Sequence, residues 1–161
     1  MNLDFECASR STPQQNSLAE TSFTVTLNKA QSLMVDSNVP HLQKHKIMQE
    51  AVVTATKLDG LMINAGESKT RWEQFGLKLP RFVKCMRTWG EAGVIKTSSK
   101  TSPKLKNKGV TCAFVGYADK HDGDCYRMWD PAAHQTYESR DVIWLKRMYF
   151  AKDLLREPIR T

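Results

Sequence analysis

The chain has 161 residues, of which 40% are hydrophobic and 9% aromatic, enough for a core and too many for a wholly disordered protein. Its net charge is +7, from 24 Lys and Arg against 17 Asp and Glu, which admits nucleic acid or an acidic surface as partner without choosing between them. No apolar run approaches the roughly 20 residues that cross a bilayer and no basic-then-apolar leader opens the chain, so the expectation is a soluble intracellular protein of nucleus or cytoplasm, neither secreted nor membrane-bound.

Residues 1–17 show no sustained periodicity and read as a loop or broken end. From Leu18, Phe23, Leu27, Ala30 and Met34 recur at three- and four-residue steps, with Leu33 widening the stripe. The stretch TSFTVTL also alternates with period two, so a strand competes over seven residues; length favours a helix to about Val35. Asp36 to Pro40 supply a break, with Asn38 a candidate N-cap and Pro40 suited to a first turn. The next stripe, Met48, Ala51, Val52, Ala55, Leu58 and Met62, predicts a second helix ended by Asn64-Ala65-Gly66. A short helical turn is expected from Thr70 to Phe75.

Beyond Phe82 the pattern changes to VIKT, VTCAFVGYA, CYRMWD and HQTYESRDVIWL, short segments rich in β-branched and aromatic residues and separated by Gly, Pro and Asp. Closely spaced strands without intervening helices predict a small antiparallel barrel. The expected class is therefore α+β, with a helical unit over residues 1–81, a barrel over 82–150 and a tail over 151–161 that turns helically near Ala151–Leu155. Cys7, Cys85, Cys112 and Cys125 are widely spaced with no Cys-x-x-Cys, which suits reduced structural thiols.

Charge is uneven: residues 1–40 carry a net −2, 41–83 +3, 84–129 +5 and 130–161 +1. Within the most basic part, Lys96, Lys100, Lys104, Lys106 and Lys108 follow one another with no acid between them, among Ser, Thr, Pro and Gly. An exposed loop of this kind tracks phosphates and releases counterions; a merely solvated connection is the alternative. Phe114, Tyr117, Tyr126 and Trp129 either stack on bases or, as strand aromatics more often do, fill the barrel. His41 and His45 stand at a spacing for two metal ligands on one helical face but lack the cysteines that would complete a zinc site, so a solvated helix start is preferred. Glu20, with Gln14, Gln15 and Asn16 before it, opens the first helix. A carboxylate there suits either a metal-dependent nucleic-acid enzyme or a favourable charge at a helix N-terminus.

Taken in order, these segments resemble the C-terminal half of the integrase of Ty/copia-type LTR retrotransposons. STPQQNSLAE is similar to that family's T-P-Q-Q-N-G-V-A-E; QEAVVTATKL, TRWEQFGLKLP and KCMRTWGEAGVI resemble the segments that follow it; and KNKGVTCAFVGY, YRMWDP and SRDVIW resemble consecutive signatures of its retroviral-polymerase SH3-like domain. The resemblance implies the end of an RNase H-like core followed by an SH3-like barrel, in a family that joins element DNA to host DNA with Mg²⁺ or Mn²⁺. It makes Glu20 the third carboxylate of an Asp-Asp-Glu triad and the metal ligand of a complete enzyme. It puts Gln15 and Asn16 in the DNA-adjacent loop before that carboxylate.

The family's other two aspartates lie well upstream, and nineteen residues precede Glu20 here; Thr21 and Ser17 also replace the family's arginine and glycine. The expectation is a truncated fragment in which Glu20 is a relic, with no catalysis and no cofactor of its own. Its expected activity is non-specific, salt-sensitive DNA binding through Lys96, Lys100, Lys104, Lys106 and Lys108. Two alternatives are a self-association or protein-interaction module built on the barrel, and a piece of a longer active integrase polyprotein.

Overall fold

The computed structural model describes residues 17–96, 109–119 and 124–152. Three α-helices come first, α1 (Ser17–Asp36), α2 (His41–Asp59) and the short α3 (Arg71–Gln74), followed by a 3-10 helix at Arg81–Cys85. Five strands follow, β1 (Glu91–Lys96), β2 (Gly109–Tyr117), β3 (Tyr126–Asp130), β4 (Gln135–Ser139) and β5 (Val142–Met148). They form one antiparallel sheet in the order β4-β3-β2-β1-β5. The α+β class expected from the sequence is what the chain adopts. The single segment read from HQTYESRDVIWL is two strands, β4 and β5, parted at Arg140 and Asp141. No helix among the described residues is long and apolar enough to cross a membrane.

In α1 the helical reading of TSFTVTL prevails over the strand. Its hydroxyl residues bond back within the helix: Thr21 to the Ser17 carbonyl at 2.7 Å, Thr24 to Glu20 at 2.9 Å and Thr26 to Ser22 at 3.0 Å. Ala30 and Met34 are buried against Ile47, Ala51 and Ala55 of α2, whereas Phe23 lies outside that contact and is 63% exposed.

Asn38 does not cap α2, whose N-cap is Pro40 with no side-chain bond. It closes α1 instead. Asn38 has φ 55°, its N–H bonds the Val35 carbonyl, and the Val39 N–H reaches back to Met34, both at 3.0 Å. That pair of bonds is a Schellman closure, and asparagine is among the few residues that tolerate its left-handed position.

The second helix ends at Asp59, earlier than the apolar spacing through Met62 suggests. Gly60 is overlain by Trp72, which leaves no room for a Cβ, and the chain doubles back through an Ile63–Thr70 bridge. The Thr70 side chain then accepts from the Glu73 N–H while the Glu73 carboxylate accepts from the Thr70 N–H, a capping box that starts α3 where a helical turn was expected.

The helices cover one face of the sheet. The pivotal residue is Val115 in β2, a bulge: Phe114 pairs with Met128 and Gly116 with the next residue back, Arg127. Its carbonyl turns to the helices, accepting from the Thr54 hydroxyl at 2.7 Å and the Trp89 indole N–H at 3.0 Å. The bulge also changes which way the strand faces. Ala113 and Val115 join Trp129 and the helices in one core, while Cys112 and Phe114 join Tyr126 and Met128 in the other. Past the bulge, Tyr117 falls on Phe114's side, and the two rings meet edge to face. Further ties are Ser37 to the Trp89 carbonyl at 2.6 Å and Lys57 to the Tyr117 carbonyl at 2.8 Å.

Candidate nucleic-acid interface

Lys96, the last residue of β1, is exposed and pairs across the sheet with Gly109, the first of β2. The segment carrying Lys100, Lys104, Lys106 and Lys108 lies outside the described residues, but both of its ends are fixed by this one cross-strand pair. An open depression of about 490 Å³ at the same end of the sheet is lined by Val94, Lys96, Gly109, Asp141 and Ile143 among others.

Of the residues before the first helix, Gln15 and Asn16 lie outside the described residues. Glu20 is exposed in the first turn of α1. Among the described residues no group of three or more His, Cys, Asp or Glu is placed to hold a metal ion. His41 and His45 are exposed on the opening turns of α2. The four aromatics singled out as stacking candidates are core residues: Phe114 is 1% exposed, Trp129 2%, Tyr117 3% and Tyr126 8%. Burial also raises the pKa of the Tyr117 and Tyr126 hydroxyls.

Several cations are occupied by carboxylates. Asp59 accepts from both Lys29 and Arg71, and the Lys29 hydrogen bond is the main force holding its pKa below the ordinary aspartate range. Arg127 donates two bonds to Glu50 of α2, at 2.9 and 2.5 Å, and a third to Glu138 at 3.1 Å, which together raise its pKa further. Lys57 is paired with Asp119, and Arg140 with Asp124 at 3.4 Å. These contacts tie the helices to one another, the helices to the sheet, and neighbouring parts of the sheet.

A second basic run was missed by the reading of the sequence. Lys78, Arg81, Lys84 and Arg87 fall at every third position, with no acid from Gln74 to Gly90, and all four are exposed. The signal was the spacing itself, which matches neither the helical nor the strand template. It fits a 3-10 helix, which turns every three residues, so Arg81 and Lys84 lie on one side of it. The flanking Pro80 (φ −60°, ψ 143°) and Met86 (φ −62°, ψ 140°) have polyproline-II-like dihedrals, which also repeat in threes. The Arg87 guanidinium lies over the Trp144 ring, 4.8 Å from its centroid, and the Arg87 backbone N–H donates to the Tyr117 hydroxyl at 2.9 Å.

Residues 93–157, which hold nearly all of the five-stranded antiparallel sheet, match the family model of retroviral polymerase SH3-like domains. That segment is similar to such domains, and most of the chain is similar to a retrotransposon Pol polyprotein. A particular relative is the retrovirus-related Pol polyprotein from transposon TNT 1-94 of Nicotiana tabacum, 23% identical over 133 residues, which cover 83% of this chain and 10% of that protein. The chain thus spans about a tenth of that relative's length. No solved structure matches the chain significantly.

Proposed function

We propose that this chain is a nucleic-acid-binding piece of a copia-type retrotransposon integrase, acting in DNA integration by holding DNA non-specifically through its phosphates. The observation that carries this reading is the Lys96–Gly109 pair, which presents the lysine segment from a single point on an ordered sheet. Four lysines in twelve residues without an acid form a surface whose affinity comes from counterion release. Glu20 is assigned no catalytic role in this chain; in a complete enzyme it would be the third carboxylate binding Mg²⁺ or Mn²⁺.

Titration of a short DNA duplex at increasing salt tests the reading. Neutralising Lys100, Lys104, Lys106 and Lys108 together should abolish most binding and flatten the slope of log K against log salt by about 3 to 4. Binding indifferent to salt, or no binding, refutes it. Metal-dependent joining of DNA ends by the chain alone would refute the assignment of Glu20.

A second reading, self-association, is favoured by the groove between α1 and α2, about 420 Å³ and lined by Val25, Leu33, Leu58 and Met62. A concentration-dependent oligomer that ignores DNA would support it over the first. A third, a segment of a longer active polyprotein, draws on the small share of the tobacco relative that is covered. Mapping the transcript's 5′ end tests it.

A further inference from the structure

We propose that Lys78, Lys84 and Arg87, with Arg81 in the same row, form a second phosphate track, separate from the lysine segment, and that its ligand is an unpaired nucleic-acid strand. This inference rests on the nucleic-acid reading above and adds to it a site and a strand state. Three features of the track support it.

The first is geometric. A row of cations set by three-residue turns is spaced by about 6 Å along a 3-10 helix and about 9 Å along polyproline II, a step that suits successive phosphates of one strand. Between Arg81 and Arg87, Phe82 is buried and Val83 and Cys85 are partly buried, so this part of the row stands on a packed base, while Leu79 and Met86 stay exposed beside it in sequence.

The second is electrostatic. Lys29, Lys57, Arg71, Arg127 and Arg140 are paired with carboxylates, but Lys78, Lys84 and Arg87 have no ion pair among the described residues. Arg87 lies over the Trp144 ring, so its guanidinium is anchored before any anion arrives.

The third selects the strand state. Phe75, three residues before Lys78, is 83% exposed, the most exposed of the large hydrophobic side chains among the described residues. An exposed ring three residues ahead of the row along the chain offers a stacking platform to a base. A duplex keeps its base faces inside the stack and has nothing for Phe75 to meet, whereas an unpaired strand does. The row lies outside residues 93–157, so it is not part of the segment that matches the SH3-like family model.

The experiment measures binding of an unpaired oligonucleotide, and of the same sequence as a duplex, across a salt series. It compares the unmodified chain, Lys78→Gln/Lys84→Gln/Arg87→Gln, Phe75→Ser, and the variant neutralised at the four segment lysines. The triple variant should flatten the single-strand salt slope by about 2, and Phe75→Ser should weaken single-strand binding about tenfold while sparing the duplex. Because Arg87 also packs on Trp144, Lys78→Gln/Lys84→Gln serves as a variant that leaves that contact intact, with an expected slope change of about 1.4. An unmodified single-strand slope in both track variants overturns the track. So does loss of binding only in the segment-lysine variant, although the proposed function then stands. A Phe75→Ser protein that changes its oligomeric state but not its strand affinity overturns the stacking role. Failure of the unmodified chain to bind either probe overturns both readings.

Discussion

The hydroxyl of Thr54 on α2 donates to the carbonyl of Val115 at 2.7 Å, and a Cβ added to the neighbouring Gly116 would sit 2.7 Å from the same hydroxyl oxygen. Hydrogen bond and missing side chain are two aspects of one close approach between helix and sheet. Thr54→Val should cost about 1 kcal/mol, at the modest end because the Trp89 indole still donates to that carbonyl. Gly116→Ala should destabilise on its own and less in a Thr54→Ala background, where the obstructing oxygen is gone and only the strain of φ 155° remains. Urea midpoints for the two single variants and the double variant give the coupling. Additive effects would refute the contact.

Asp59 joins three elements, since its carboxylate accepts from Lys29 of α1 and from Arg71 of α3. Its folded pKa is lowered, so its stabilising contribution is fully present above the unfolded value. That contribution is lost as pH falls below about 3.9 and through the depressed folded value. Thermal melts should show Asp59→Asn less stable than the parent at neutral pH, with the difference shrinking in acid. A constant difference down the acid limb would argue that the carboxylate's charge is irrelevant.

The described thiols are free and differ in access. Burial, with a smaller effect from Asp130, pushes Cys112 up to about 12, and burial raises Cys125 as well. Cys85 is only partly buried. Alkylation of the native chain near neutral pH, followed by mass spectrometry, should among these three label Cys85 first and Cys112 last, with Cys112 reacting only on unfolding. Early labelling of Cys112 would mean that β2 opens locally.

Residues 93–157 alone should fold poorly. Ala113, Val115 and Trp129 face Ala30, Met34, Ile47 and Ala51 of the helices, and Trp89 lies in the same core. Removing the helices exposes that face and leaves Arg127 without Glu50. We expect the isolated segment to lack a cooperative urea transition, while the full chain unfolds with coincident circular dichroism and tryptophan fluorescence. A sharp transition in the isolated segment would show that the helices are dispensable to it.

The sequence made much of this arrangement legible because its strongest signals are local. The Ala51, Val52, Ala55 stripe specifies α2, and the Thr70 to Glu73 spacing carries its own capping bonds. Asn38 was misassigned because asparagine suits both a helix start and a left-handed helix end; only the bonds to Val35 and Met34 decide. The bulge at Val115 was hidden because VTCAFVGY is buried throughout its second half and offers no alternation to interrupt. Packing of the helices on the sheet was equally invisible, since nothing in α2's spacing names its partner. In the candidate interface, the lysine segment was evident from charge alone, and the Lys78 to Arg87 row was not.

The register of Lys96 and Gly109 separates two properties that evolution could otherwise change only together. Closing a loop costs little more as it grows, about 0.6 kcal/mol per doubling of length, so the segment between them can lengthen, shorten or change its lysine number while the sheet keeps its pairing. Related chains should therefore diverge first in this hairpin's connection, in length and in charge, while the strands on either side keep their pairing.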